Sequence, residues 1–147
     1  MASSSEQILI IDDDKGIKSL VQNFLRNRNP EIYQTEDGEN GFPLAQGINP
    51  MFVILSADIK NGFLICRKFK KDKFLRKVPL ILVSNKGASK VFREHRKLPT
   101  RADGYLIKPF SEDEFLALLG EVAPEKFSDI SSETSFVEGG DRTIVST

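Results

Sequence analysis

Four short apolar runs in this chain each end in residues able to do polar chemistry. Ile8-Leu9-Ile10-Ile11 runs into Asp12-Asp13-Asp14, and Phe52-Val53-Ile54-Leu55 into Ser56-Ala57-Asp58. Leu80-Ile81-Leu82-Val83 runs into Ser84-Asn85, and Tyr105-Leu106-Ile107 into Lys108-Pro109-Phe110. Neighbouring carboxylates such as Asp12 and Asp13 repel one another, and either a divalent cation or an ammonium group relieves that repulsion. Lys108 is the candidate ammonium. An ion pair from Lys108 to Asp12 or Asp13 is therefore expected, holding the cluster in one static arrangement.

These residues need elements that bring them to one place. From Gln7 to Val122, short apolar runs alternate with amphipathic stretches, the signature of βα units around a parallel sheet. Five units are counted, with Ile32–Thr35 as the weakest strand. The continuous Ile/Val/Leu runs are those of strands buried on both faces. In an open parallel sheet, ligands gather beyond the carboxyl ends of the strands, which is where the polar residues fall.

Between the strands, Ile17, Leu20, Val21, Phe24 and Leu25 recur at helical spacing, as do Phe63, Leu64, Cys66, Arg67 and Phe69. Ser111 with Glu114 three residues on is a capping box; it opens a last helix with Phe115, Leu116, Leu118, Leu119 and Val122 on its inner side. Gly41, Pro43 and Gly47 predict a short or broken second helix. The fourth crossover, Asn85 to Asp103, is sparsely apolar and carries Pro99, which predicts an irregular or shortened helix. The expected organisation is a flexible N-terminus (1–6), one folded domain (7–123) and a disordered tail or linker (124–147), whose Thr143-Ile144-Val145 could add to a sheet edge.

The strand-end residues together resemble the receiver domain of two-component response regulators, over roughly residues 7–122. Such domains pair two acids at the end of the first strand with an aspartate ending the third, a Ser or Thr ending the fourth and a Lys-Pro ending the fifth. Asp12 and Asp13 in LIIDDDKGI match the metal-binding acids, Ser84 the switch hydroxyl, Lys108 in GYLIKPF the lysine, and Tyr105 the aromatic switch position. The resemblance implies a flavodoxin-like (βα)5 doubly wound sheet of strand order 2-1-3-4-5, and a cis Lys108–Pro109 bond.

One place departs from the pattern. Ser56 stands where the family's phosphate-accepting aspartate would be, and the loop from there to Asn61-Gly62 is shorter than the usual receiver loop. A serine hydroxyl is a poor nucleophile without an adjacent base, and no base is evident. Asp58 is the one possible substitute. In an extended chain it lies about 6–7 Å beyond Ser56, outside hydrogen-bonding reach of Lys108 and Ser84. The expected pocket is thus degenerate, made of Asp12, Asp13, Ser56, Ser84 and Lys108, with no cofactor and at most a weak Mg²⁺ site at Asp12 and Asp13.

The stretch NGFLICRKFKKDKFLRKVPLILVSN, followed by FREHRKLPTRADGYLIKPF, is similar to the FrzS-type pseudo-receivers of myxobacterial motility proteins, which also lack the acceptor aspartate. That resemblance implies a protein-docking role in motility or cell polarity, with His95 and Tyr105 lining a groove beside the fifth strand. Lys90, Arg93, Arg96 and Lys97 surround them and join the expected partner-binding face. Cys66, set among Leu64, Ile65 and Phe69, reads as a small core residue.

Composition bounds the alternatives. The formal net charge is zero, yet residues 51–110 hold fifteen Lys/Arg against four Asp/Glu, while residues 1–50 and 111–147 are both acidic. No apolar run approaches the roughly 18 residues needed to span a bilayer, and the N-terminus has no apolar signal core, so a cytoplasmic protein without membrane insertion is expected. A single cysteine suits that compartment. The preferred expectation is a non-enzymatic, phosphorylation-independent protein-interaction module that could be recruited to a cell pole; its oligomeric state is left open. Two alternatives stand beside it: a phosphorylatable receiver using Asp58, and nucleic-acid or cyclic-dinucleotide binding through residues 60–108. The second lacks both a Gly-rich phosphate loop and a DNA-reading motif.

Overall fold

In a computed structural model of the chain, residues 6–85, 87–131 and 143–145 are described. Strands β1 (Gln7–Ile11), β2 (Glu31–Thr35), β3 (Phe52–Ser56), β4 (Leu80–Ser84) and β5 (Gly104–Ile107) form a parallel sheet, joined at its far edge by β6 (Thr143–Val145). The order is β2-β1-β3-β4-β5-β6. The first five strands take the expected order. The sixth is the tail segment, which runs parallel to β5 with Leu106 opposite Ile144.

Strand alternation divides the core into two layers. Ile8, Ile10, Ile54, Ile81 and Leu106 face α1 (Ile17–Phe24) and α5 (Glu112–Val122). Leu9, Ile11, Leu55, Leu82, Tyr105 and Ile107 face α2 (Gly38–Ile48), α3 (Gly62–Lys71) and α4 (Ser89–His95). Each central strand is buried along its whole length, which is why its sequence reads as an unbroken apolar run. The capping box on α5 forms as expected: the Ser111 hydroxyl accepts from the Glu114 amide, and the Glu114 carboxylate accepts from the Ser111 amide.

Three expectations change. The second helix is neither short nor broken but continuous over 11 residues. Pro43 and Glu39, whose carbonyl loses its helical partner, both lie on the exposed side, where water can replace the bond. Gly41 earns its place by closeness, since a Cβ there would sit 2.5 Å from Ile11 Cδ1. On α3 the buried residues are Ile65, Cys66 and Phe69, whereas Leu64 is 55% exposed and Arg67 is exposed.

The third change concerns the domain boundary. The chain does not leave the fold at Pro124: Pro124–Ser131 forms a kinked helix, α6, with Phe127 fully buried against Phe52 and under the Arg28 guanidinium. Burying a side chain of that size is worth about 1.5–3 kcal/mol, enough to hold a short amphipathic helix in place. At the other end Glu6 is tied to Arg28 at 2.6 Å. Residues 1–5 and 132–142, also expected to be flexible or disordered, lie outside the described residues. The fourth helix is short, seven residues, as expected. Among the described residues, no helix is long and apolar enough to cross a membrane.

The short connection from β3 to α3 fits only because residue 62 has no side chain. A Cβ on Gly62 would lie 2.6 Å from the Ser56 carbonyl oxygen and 2.8 Å from that of Ala57, and backbone cannot yield as a flexible side chain does. Gly62→Ala should therefore lower stability by about 1–3 kcal/mol. Gly47→Ala, in a helix with nothing within 4 Å of the new Cβ, should raise it by roughly 0.5–1 kcal/mol. Urea midpoints of the two variants check both signs.

Candidate functional site

At the carboxyl end of β1 the chain turns through three aspartates. The Asp12 carboxylate accepts the Asp14 amide at 3.1 Å, and the Asp14 carboxylate accepts the Gly16 amide at 2.9 Å. From β2, the Gln34 side-chain amide donates to the carbonyls of Asp12 and Asp14 and fixes the turn from the other side. Asp12 and Asp14 consequently point the same way, while Asp13 is exposed.

Lys108 follows β5 through a cis Lys108–Pro109 bond, and its ammonium donates to Asp12 at 2.9 Å and Asp14 at 3.0 Å. The expected ion pair therefore exists, but its second acid is Asp14 and not Asp13. The signal for Asp14 was the spacing: residues two apart share a side where a strand runs on into its turn. Burial alone would lower the Lys108 pKa, but the hydrogen bonds and charges of Asp12 and Asp14 outweigh it and raise the value. The Asp14 carboxyl is held below its usual range by the Gly16 amide first and by Lys108 second.

Ser56 ends β3 fully buried, and its hydroxyl oxygen accepts the Asp58 amide at 3.0 Å. That bond closes a tight turn, so the chain from Ser56 to Asp58 is not extended. Asp58 is thereby brought into the site. Its carboxylate accepts the Ser84 hydroxyl at 2.6 Å and the Asn85 amide at 3.0 Å. The expectation that Asp58 lies out of reach of Ser84 is corrected: it assumed extended backbone, and the Ser56 hydroxyl bends it.

A metal at this site would need oxygen ligands free to take it. Among the described residues no group of three His, Cys, Asp or Glu side chains is placed to hold one. Asp12 and Asp14 are turned to Lys108, Asp13 points outward, and Ser56 at the end of β3 offers a hydroxyl that is already bonded to the Asp58 amide. This donor set does not fit Mg²⁺.

His95 and Tyr105 do come together, but not as the lining of a groove. Both are buried, with His95 Nδ1 and the Tyr105 oxygen 2.8 Å apart. The Tyr105 oxygen also accepts the Ala102 amide at 3.0 Å, so the phenol is bonded on both sides within the layer. The rings of Phe63 and Phe92 pack against the pair. Burial lowers the His95 pKa and pushes the Tyr105 phenol up to about 12. Apolar packing under α4 draws both rings inward, so neither presents its face to a partner. Cys66 is buried in the same layer, its thiol also pushed up to about 12 by burial, in keeping with a core role.

The surface above this pair carries the basic residues. Lys90, Arg93 and Lys97 are exposed on and just after α4, and Lys97 is ion-paired to Glu94 at 3.6 Å. Arg96 is half-buried with its guanidinium 6.0 Å over the Tyr105 ring. Val91 and Leu98 are about half exposed beside them, so the face is mixed basic and apolar. A cleft of about 640 Å³ opens at the opposite end of the sheet, lined in part by Gln7, Pro50 and Pro79, away from all these groups.

Residues 8–120 match the family model of the response regulator receiver domain. The DNA-binding dual master transcriptional regulator RpaA of Synechocystis sp. is 31% identical over 113 residues, which is 76% of this chain and 46% of that protein. The adventurous-gliding motility protein Z of Myxococcus xanthus is 25% identical over 138 residues, 92% of this chain and 10% of that protein. This chain thus spans less than half the length of either relative. Among solved structures, the chemotaxis response regulator CheY4 of Vibrio cholerae shares the fold with a TM-score of 0.68 at 21% identity, over 81% of this chain and 99% of that one.

Two measurements probe the site. Lys108→Met leaves the buried Asp12 without its cation and should cost about 3 kcal/mol, read from denaturant unfolding. His95 is the sole histidine, and its folded pKa lies below its unfolded value. Its contribution to stability is complete above about pH 6.5 and is lost as pH falls from there toward the folded value. The melting temperature should drop between pH 7 and pH 5, and His95→Gln should flatten that drop.

Proposed function

We propose, from the premise that this chain belongs to the response regulator receiver family, a signalling module that docks a protein partner without being switched by phosphorylation. One observation carries this reading: the groups that would receive a phosphoryl group already hold internal partners. Ser84 and the Asn85 amide are turned to Asp58, and Lys108 to Asp12 and Asp14. Ser56, in the acceptor's place, uses its oxygen to close a turn. A hydroxyl lacks the charge of a carboxylate nucleophile, and no base stands by to activate it.

With the switch satisfied internally, the function moves to the outer face of α4. Its Lys90, Arg93 and Lys97 suit an acidic partner, and the His95–Tyr105 pair with its surrounding rings supports the helix from beneath. The likeness to a gliding motility protein over 92% of this chain supports a place in motility or polarity machinery. It is also in keeping with the FrzS-type resemblance of the sequence. The module is read as non-enzymatic, acting in the cytoplasm.

A second reading has its own support. Asp58 is a carboxylate 2.6 Å from Ser84, so a phosphorylatable receiver with a displaced acceptor is the competing possibility. Mass spectrometry after incubation with Mg²⁺ and acetyl phosphate separates the two. The proposed function expects an unchanged mass, and Ser84 and Asn85 resonances unmoved by beryllofluoride. A gain of one phosphoryl group that disappears in Asp58→Asn would establish the second reading.

A further inference from the structure

The outer edge of β5 is occupied, and its occupant is the chain's own tail. Thr143, Ile144 and Val145 pair with Tyr105, Leu106 and Ile107 in parallel register, beside α4. A strand at a sheet edge presents unpaired backbone N–H and C=O groups, a template for any extended chain. We propose that the β5 edge is a strand-accepting site for an extended segment of a protein partner, held closed in cis by Thr143–Val145. The partner segment is acidic and ends in consecutive β-branched residues.

Three features lead to that assignment. The cis strand is only three residues long, a short ladder, and eleven residues separate it from α6 in the sequence. Covalent linkage of that order gives an effective concentration of about millimolar, which a longer or better-matched segment in trans can exceed. The pairing residues are three consecutive β-branched side chains, a type that favours extended backbone. Charge complementarity defines the rest: the neighbouring helix exposes Lys90 and Arg93, whereas residues 132–142 contain Glu133, Glu138 and Asp141 against the single Arg142. The acidic segment that precedes β6 in the sequence thus has the charge of a ligand for a basic face.

This inference rests on the docking reading for the eventual user of the site, while the closure by the tail stands independently of it. The test uses the full chain with Ile144→Pro and Val145→Pro together, since proline supplies no N–H to a ladder. Hydrogen exchange at Tyr105–Ile107 should quicken in the variant. A fluorescent peptide of residues 132–147, which includes Glu133, Glu138 and Asp141, should bind the variant at least about ten-fold more tightly than the wild type, with affinity falling as salt rises. Equal exchange in the two chains, or equal or absent peptide binding, would overturn the proposal. A phosphoryl group found on the chain would overturn the phosphorylation-independent reading and leave the strand result unaffected.

Discussion

The bridge from Lys108 to Asp12 and Asp14 joins the end of β5 to the end of β1, across the two intervening strands, and the rest of the site is arranged around it. Two of its three charged groups, Asp12 and Lys108, stand largely out of water. Asp12 is fully buried and Lys108 largely so; a buried charge without its partner would cost several kcal/mol. The lysine answers both carboxylates, and its ammonium is held between them.

Asp58 completes the arrangement on the neighbouring strands. Its two oxygens take the hydroxyl of Ser84 and the amide of Asn85, so the end of β4 is held by an anion that belongs to the protein. Ser56 makes this possible, for its buried hydroxyl bends the chain that delivers Asp58. The serine at position 56 therefore sets the local path of the chain as well as ending the strand.

Beneath α4, the same economy governs His95 and Tyr105. A phenol and an imidazole buried among Phe63 and Phe92 need hydrogen-bond partners, and they find one another and the Ala102 amide. The short fourth helix is thereby anchored by polar bonds inside an apolar layer. Its charged outer side is left to the solvent, and β6 lies along the adjoining edge.

The sequence by itself determined the sheet, because unbroken Ile/Val/Leu runs allow only strands buried on both faces, and the polar residues at their ends located the site. It also placed Ser56 at the end of the third strand and foretold the pairing of Lys108 with the acidic turn. Tertiary structure decided which acids take part: Asp14 over Asp13 through the Gln34 and Gly16 bonds, and Asp58 through a turn that an extended-chain estimate misses. It decided as well that His95 and Tyr105 face inward, that Pro43 leaves its helix whole, and that Phe127 and Thr143–Val145 join the fold. Gln34 against the acidic turn, Ser84 against Asp58, Phe52 against Phe127 and β5 against β6 are partners distant in sequence, and local spacing carries no information about what lies across the sheet.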